Sequence, residues 1–213
     1  GLAYVAGALQ GSGFKVQFID AVGESLDTRH ADNHDCYLYG LSHPQTVAKI
    51  DDDTEIIGVG LGFSFEWPTC RDLIALIRER FPNALLIGGG EHVTAVPEQT
   101  MKESKLDIGV LGEGEETIVE IATGYHKGDL DLNKILGVCF CNNDKEVVVN
   151  ERRPRKRDLD EIVWPAWDLM PIQNYLERGY GFGVNRGRSM PILASRGCPY
   201  QCTFCSNPAM WTT

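Results

Sequence analysis

The fold is decided by residues 56–90, IIGVGLGFSFEWPTCRDLIALIRERFPNALLIGGG. Residues 56–61 form an apolar run of the length that suits a buried strand. Pro68 suits the first turn of the helix that follows. The apolar positions of this helix recur at helical spacing: Cys70, Leu73, Ile74, Ile77 and Phe81. Pro82 and Asn83 end the helix, and residues 84–87 form a second strand. This strand–helix–strand unit predicts two parallel neighbours in one sheet.

The same alternation continues on both sides of this unit. Upstream, we predict a helix over 2–9, a short buried strand over 16–20, a polar irregular loop over 21–42 and a helix over 44–52. Downstream, we predict a helix near 96–102, a strand over 107–111 and then a helix with Ile118, Ile121, Ala122 and Tyr125 on one face. The alternation predicts an α/β fold with a doubly wound, parallel, Rossmann-like sheet.

Glycines follow three of the predicted strands: Gly60 and Gly62, then Gly88 to Gly90, then Gly112 and Gly114. In parallel sheets of this kind, ligands bind beyond the carboxyl ends of the strands. We therefore expect the three glycine clusters to lie along one edge of the sheet. A second interpretation stays open, in which these glycines only make tight strand–helix turns.

The pattern changes after residue 126. Residues 136–141 and 146–149 flank Asn142-Asn143-Asp144-Lys145, which predicts a β-hairpin. Residues 150–190 are charged, then rich in proline, glycine and aromatic residues, and we interpret them as a linker that packs on another part of the molecule. Residues 191–195 predict a new strand. The predicted organisation is a domain over 1–126, a hairpin and linker over 127–190 and the start of a second domain over 191–213.

Composition excludes several classes of protein. The net charge of −10 argues against DNA or RNA as the main partner. No apolar run reaches the roughly 20 residues of a membrane-spanning helix. The seven cysteines are an odd number, which disfavours a disulfide framework and favours reduced thiols in the cytoplasm. The chain opens on Gly1 inside a helical pattern, so we expect that an amino-terminal segment is missing.

Three cysteines, Cys198, Cys202 and Cys205, lie in one short stretch with the spacing C-x-x-x-C-x-x-C. Three thiolates on one loop can each hold one iron of a 4Fe–4S cluster. The fourth iron then takes an exchangeable ligand, which suits chemistry better than electron storage. A zinc site is the alternative, but zinc usually takes a second cysteine pair or histidines, and none follows Cys205.

The cysteine motif resembles that of the radical SAM superfamily, since it follows a predicted strand and has an aromatic residue, Phe204, before the last cysteine. The resemblance implies that Cys198, Cys202 and Cys205 bind a 4Fe–4S cluster whose open iron takes S-adenosylmethionine, with Phe204 near the adenine. It also implies that one electron, from a partner such as flavodoxin or ferredoxin, cleaves the sulfonium and releases a 5′-deoxyadenosyl radical. The strand and the loop would begin a partial (β/α) barrel, truncated at residue 213.

The upstream region resembles the cobalamin-binding domain of cobalamin-dependent radical SAM enzymes. The matching stretches are residues 1–6, 89–98, 111–115, 165–171 and 206–211. The resemblance implies that cobalamin contacts Ser64, Gly88, Gly89, Gly90, Glu91, His92, Leu111, Gly112, Glu113 and Gly114. Glycines would give a planar corrin the open edge that it needs.

Other ligands fit this edge less well. Glu113 and Glu115 disfavour a phosphate in their turn while favouring the positive end of the following helix, and no Walker lysine is present. Asp32 and His34 begin the D-x-H-x-x-G pattern of a histidine-ligated cobalamin, but Tyr37 replaces the glycine and the loop is the wrong one. We therefore expect cobalamin without a histidine ligand. For His92, a local turn or a surface role is an equal alternative.

Three functions compete. The first is a cobalamin-dependent radical SAM enzyme that performs methyl transfer or a radical cyclisation or rearrangement on a small molecule. The second is a radical SAM methylthiotransferase, which would use three cysteines of the first domain for a second cluster. The third, which is not an enzyme, is a corrin-binding carrier or sensor module. Because the rest of a barrel is missing, we expect the isolated chain to be inactive and only marginally stable.

Overall fold

The structure is a computed structural model that describes residues 1–180, 184, 187–190 and 195–211, with only the backbone described at 208 and 209. The helices are α1 Leu2–Gly11, α2 His43–Ala48, α3 Trp67–Arg80, α4 Glu91–Ala95, α5 Pro97–Glu103, α6 Glu115–Lys127, α7 Ile172–Arg178 and α8 Asn207–Met210. The strands are β1 Arg29–Ala31, β2 Tyr37–Tyr39, β3 Ile56–Gly60, β4 Leu85–Gly89, β5 Ile108–Val110, β6 Val138–Cys141 and β7 Val147–Val149.

The main sheet has five strands in the order β3-β4-β5-β6-β7. The first three are parallel, as the sequence predicts, and β6 and β7 form the predicted hairpin, which joins the same sheet with β6 antiparallel to β5. Residues 129–137 carry the chain from α6 back to the carboxyl end of β5, where Leu111 N donates to the Gly137 carbonyl at 2.8 Å. Strand β6 starts there and therefore runs against β5, and the tight turn after β6 brings β7 back beside it.

Helices pack on both faces of the sheet, which confirms the doubly wound architecture. On one face, Ile74 and Ile77 of α3 and Met101 of α5 share a core with Leu86 of β4. On the other face, the core joins residues of α6 to the sheet: Ile118 and Ile121 with Ile87, Ile108 and Val138. Each fully buried side chain of this kind contributes about 1.5–3 kcal/mol. These two apolar layers hold the strands, and hence their carboxyl edge, in place.

Two segments before the sheet differ from their predictions. Residues 16–20 form no strand; the Gln17 amide instead donates to the Lys49 carbonyl at 2.8 Å. A strand needs a neighbour for its backbone groups, and this segment pairs with none among the described residues. Residues 21–42 are not wholly irregular, because β1 and β2 pair as a hairpin in which Arg29 is opposite Tyr39.

The segment after the sheet packs against the start of the chain. Ala166 N donates to the Ala3 carbonyl at 2.8 Å, and the Asn174 amide donates to the Gly23 carbonyl at 2.8 Å. The Tyr175 hydroxyl donates to Asp20 at 2.7 Å. Residues 150–180 thus cover α1 and the loop after residue 20. The strand predicted over 191–195 falls mainly on residues 191–194, which lie outside the described residues.

Candidate cofactor site

The three glycine clusters meet at one edge of the sheet, as predicted. Gly60 of β3 is opposite Gly89 of β4, and Gly89 is in turn opposite Val110 of β5. Because these strands are parallel, their carboxyl ends and the turns that follow lie side by side. This edge is where an α/β sheet binds its ligands.

The glycines of this edge have two different roles. A Cβ at Gly88 would lie 2.5 Å from the Leu106 side chain, and Gly90 has φ +131° with the Leu61 carbonyl oxygen only 2.4 Å from a Cβ. These two glycines allow close packing inside the protein, so the tight-turn interpretation holds for them. A Cβ at Gly62 would meet no atom of the described residues within 4 Å, which leaves that position open to a ligand.

The loop after β3 presents a flat apolar surface beside Gly62. Phe63 and Phe65 are 59% and 80% exposed, and their ring centroids lie 5.6 Å apart in a stacked arrangement. Exposed, contiguous aromatic surface of this kind marks a binding site more often than a free surface. Open backbone at Gly62 next to two exposed rings fits a large, flat, mainly apolar group such as a corrin.

His92 is buried, so the interpretation of this histidine as a surface residue is wrong. Its side chain is 5% exposed and its ring stacks on Trp67 with the centroids 4.6 Å apart. Nδ1 lies 3.0 Å from the Ser64 hydroxyl, while Nε2 is buried and has no hydrogen-bond partner among the described residues. Burial lowers the pKa of His92 and keeps the ring neutral. The histidine thus supports the loop after β3 through its contact with Ser64.

The other residues assigned to cobalamin by resemblance lie at the same edge with different surroundings. Leu111 is 4% exposed in the core, and its backbone N–H is paired with the Gly137 carbonyl. The Glu91 carboxylate accepts a hydrogen bond from the Ser206 hydroxyl at 3.3 Å. Gly112 has φ +71° and a Cβ there would lie 3.5 Å from the Met210 carbonyl oxygen. Residues 206–210 therefore lie beside the turns that follow β4 and β5.

The three motif cysteines lie on one turn and carry free thiols. Cys198 is half-buried, whereas Cys202 and Cys205 are exposed. Cys205 N donates to the Cys202 carbonyl at 3.1 Å, and the Asn207 amide group donates to the Cys198 carbonyl at 3.4 Å. Three unpaired thiols on one short turn fit the donor set of an iron–sulfur cluster. Phe204, next to the last cysteine, is 92% exposed.

The remaining cysteines lie on separate elements. Cys36 is exposed in the turn between β1 and β2, and Cys70 lies on α3. Cys139 is buried in β6, and burial raises its pKa to about 11. Spread over a hairpin turn, a helix and a strand, these thiols give no support to the second cluster that a methylthiotransferase would need.

Sequence reasoning missed the contact that joins the cysteine turn to the sheet. The Arg196 guanidinium forms ion pairs with Glu113 at 3.0 Å and with Glu115 at 2.5 Å, and its side chain is only 9% exposed. The sequence shows an arginine before Cys198 and two glutamates after β5, but the partners are 83 and 81 residues apart. Nothing local in the sequence pairs them.

The incomplete D-x-H pattern has a local structural role. Asp32 accepts a hydrogen bond from the Thr69 hydroxyl of α3, and His34 Nε2 lies 3.1 Å from Asp72 of the same helix. The three residues Asp32, His34 and Asp72 bring their ligand atoms within 4.8 Å of one another. These contacts hold the hairpin of β1 and β2 against α3.

Among the described residues, no helix is both long enough and apolar enough to cross a membrane.

Known proteins similar to this chain place it in a family. PH0819, an uncharacterized methyltransferase of Pyrococcus horikoshii, is 34% identical over 209 residues, which are 97% of this chain and 40% of that protein. The anaerobic magnesium-protoporphyrin IX monomethyl ester cyclase of Cereibacter sphaeroides is 28% identical over 99% of this chain and 31% of its own length. The chain thus spans less than half of the length of these relatives.

The fold also matches a solved structure. The radical S-adenosylmethionine methyltransferase TsrM of Kitasatospora setae superposes with a TM-score of 0.66 at 22% identity, over 99% of this chain and 39% of that one. The model of the B12 binding domain matches residues 1–122, which is more than half of the chain. The chain therefore belongs to the B12-binding domain family, and its relatives include methyltransferases and a cyclase.

Proposed function

We propose that this chain is the cobalamin- and cluster-binding part of a radical SAM enzyme that performs methyl transfer or a radical cyclisation or rearrangement on a small molecule. The observation that carries the proposal is the turn with three free thiols beside the open edge of the sheet. In this proposal, residues 1–126 form the cobalamin domain, residues 127–190 the hairpin and linker, and residues 191–213 the start of the radical SAM domain.

The residues of the chain have distinct tasks in this proposal. Cys198, Cys202 and Cys205 would hold a 4Fe–4S cluster, which supplies one electron to S-adenosylmethionine when both are bound. Phe204, which is 92% exposed, offers its ring to the adenine. Gly62 and the rings of Phe63 and Phe65 would receive the corrin.

Cobalamin would also contact the turns after β4 and β5. We assign to this contact the backbone of Gly89, Glu91, Gly112 and Gly114, together with Ser64 on the neighbouring loop. Four of the assigned residues would support these turns without contacting the corrin, because their own contacts lie inside the protein: Gly88, Gly90, His92 and Leu111. The neutral ring of His92 would position Ser64 through the 3.0 Å contact with its hydroxyl.

The comparisons support this reading at the level of the family. A second structure of TsrM has cobalamin and a [4Fe-4S] cluster bound. The relatives act as methyltransferases or as a cyclase, and the named substrate of the cyclase is a small molecule. For this chain we propose a small-molecule substrate, a reducing partner such as flavodoxin or ferredoxin, and the cytoplasm, where thiols stay reduced.

The cluster is tested by anaerobic reconstitution with iron and sulfide. We expect about four irons and four sulfides per chain, and a reduced EPR spectrum that changes when S-adenosylmethionine is added. The variant with Cys198, Cys202 and Cys205 all changed to Ala should bind almost none. A matched control changes Cys36→Ala and Cys141→Ala, two exposed cysteines outside the motif, and should load like the parent chain. Zinc without sulfide would refute the cluster and favour a structural metal site.

Cobalamin is tested separately by its absorbance after gel filtration with hydroxocobalamin. Gly62→Val should weaken cobalamin binding by at least about tenfold, since the new side chain would fill the open position where the corrin is placed. Gly58→Val is the matched control, because a Cβ at Gly58 also meets nothing within 4 Å but lies within β3, away from the turn. Equal binding by both variants would show that the corrin, if bound, does not use the edge at Gly62.

A further inference from the structure

Arg196 is a charged side chain that is almost completely enclosed. Its guanidinium is 9% exposed and lies 3.0 Å from Glu113 and 2.5 Å from Glu115, which are themselves 13% and 17% exposed. Glu113 is held from a second side, because its other carboxylate oxygen accepts a hydrogen bond from Lys156 N at 2.9 Å. Removing one partner of such an enclosed pair leaves an uncompensated charge, so the arrangement resists change.

Two aromatic rings complete the surroundings of the guanidinium. Its central carbon lies 5.0 Å from the centroid of the Tyr4 ring and 5.5 Å from that of Trp211. Both distances are within the range of cation–π attraction. One side chain therefore contacts α1, the turn after β5 and the residue that follows α8.

The contacts of Arg196 join the cysteine motif to the carboxyl edge of the sheet. Arg196 precedes Cys198 by two residues, while Glu113 lies in the turn after β5 and Glu115 begins α6, both at the carboxyl edge of the sheet. Among the described residues, the cysteine segment (residues 195–211) also contacts that edge through the Ser206–Glu91 hydrogen bond, which is longer, at 3.3 Å, and exposed, and through α8, which lies against α4. Arg196 thus provides an enclosed, charged contact between the cysteine segment and the carboxyl edge of the sheet.

We propose that Arg196 is a positioning residue: its ion pairs with Glu113 and Glu115 set the distance between the iron–sulfur cluster and the corrin. The inference rests on the proposed function, because it needs both groups to be bound. It assigns to the two glutamates a role in joining the two halves of the site, in addition to the role at the start of α6. Arginine suits this role because its planar guanidinium can bind two carboxylates at once.

The ion pairs of Arg196 with Glu113 and Glu115, which we call the clamp, are tested first without any cofactor. The test is amide hydrogen exchange of the full metal-free chain. In Arg196→Gln, we expect the amides of Cys205, Met210 and Trp211, which are hydrogen-bonded in the parent chain, to exchange at least about tenfold faster, while those of β4 and β5 keep the parent rate. Arg196→Lys should restore part of the protection. Unchanged exchange of the Cys205, Met210 and Trp211 amides in Arg196→Gln would refute the clamp.

The positioning role is tested by pulsed EPR on the full chain loaded with both groups. The reduced cluster and cob(II)alamin each carry an unpaired electron, so their dipolar coupling reports the distance between them. We expect one narrow distance in the parent chain and a broad distribution in Arg196→Gln at equal iron and cobalamin content. The same broadening is expected in the double variant Glu113→Gln/Glu115→Gln, in which the sequence of the cysteine segment is unchanged. This variant replaces Arg196→Gln in the experiment if Arg196→Gln binds too little iron or cobalamin.

Exchanging the charges of Arg196 and Glu115 tests whether the ion pair itself is responsible. Arg196→Glu should broaden the distance distribution, and Arg196→Glu combined with Glu115→Arg should narrow it again. The same narrow distance in the parent, in Arg196→Gln and in the double glutamine variant would overturn the positioning role. A parent chain that takes up no cluster or no cobalamin would instead refute the proposed function, and the exchange experiment would still decide whether the clamp exists.

Discussion

The core of the sheet and the cysteine segment are held by opposite kinds of force. In the sheet, Ile74, Leu86 and Ile108 are all 0% exposed, and apolar burial on both faces keeps the strands in place. In residues 195–211, Tyr200 and Phe204 are 72% and 92% exposed, and the segment is held by ion pairs, cation–π contacts and a few hydrogen bonds. The first region is held by continuous apolar packing, whereas the second is held by a small number of directional contacts among its described residues.

The proposed function would explain this difference. The edge of the sheet would have to stay fixed to present a flat surface to a large ligand, and a packed core provides such rigidity. A segment that binds metal must leave its thiols accessible, so it cannot bury them in the same way. Charged contacts such as those of Arg196 place the segment without covering its cysteines.

The largest difference that we expect between the sheet core and the cysteine segment is in how substitutions change the free energy of unfolding. Leu86→Ala should lower it by about 3 kcal/mol, because the change leaves a cavity between β4 and α3. Tyr200→Ala, which removes a larger but exposed side chain from the cysteine segment, should change it by less than about 0.5 kcal/mol. Urea denaturation followed by circular dichroism measures both. Similar losses in the two variants would mean that the segment folds as part of the core.

The reactivity of the thiols should also differ strongly between the cysteine segment and the sheet. In the metal-free chain at about pH 8, iodoacetamide should modify Cys202 and Cys205 at least about a hundredfold faster than Cys139. Cys139 is buried in β6 and burial raises its pKa to about 11, so it is both shielded and protonated. Mass spectrometry of timed digests gives the three rates. Rapid labelling of Cys139 would show that the sheet opens far more easily than its packing implies.

Within the glycine edge, the comparison can be made between two glycines. Gly88→Ala should lower the free energy of unfolding by about 2 kcal/mol, since its Cβ would lie 2.5 Å from Leu106 and 2.9 Å from Leu61. Gly62→Ala should leave it nearly unchanged, because that position is open. Thermal denaturation of both variants distinguishes the packing glycine from the open one. Equal destabilisation would place Gly62 inside the fold.

The smallest effect concerns pH. Burial lowers the pKa of His92 in the folded chain, so the unfolded chain binds more protons once the pH falls below the ordinary histidine value of about 6.5. Stability from this group is therefore complete above that pH and declines as the pH falls towards the folded pKa. His92→Phe should remove part of this decline between about pH 7.5 and 5.5, by less than about 1 kcal/mol. Urea midpoints at the two pH values measure it, and an unaltered slope would mean that His92 does not titrate on unfolding.

The sequence predicted the parts of the fold that depend on local pattern. The helices over 67–80 and 115–127, the parallel strands of the 56–90 unit and the hairpin around Asn142 follow from periodicity and turn residues. It failed for residues 16–20, where the pattern of a strand is present but the described residues offer no neighbour to pair with. For His92, the sequence left a cofactor contact and a surface role as equal alternatives, and only the surface role is contradicted, since burial depends on the distant ring of Trp67.

By itself, the sequence determined the alternation of strands and helices, the glycine edge and the spacing of Cys198, Cys202 and Cys205, because each is a property of neighbouring residues. The tertiary structure alone decided the direction of β6, the division between the packed Gly88 and the open Gly62, and the pairing of Arg196 with two glutamates more than 80 residues away. These depend on which surfaces meet when two apolar layers close on the sheet, and such long-range contacts leave no periodic trace in the chain.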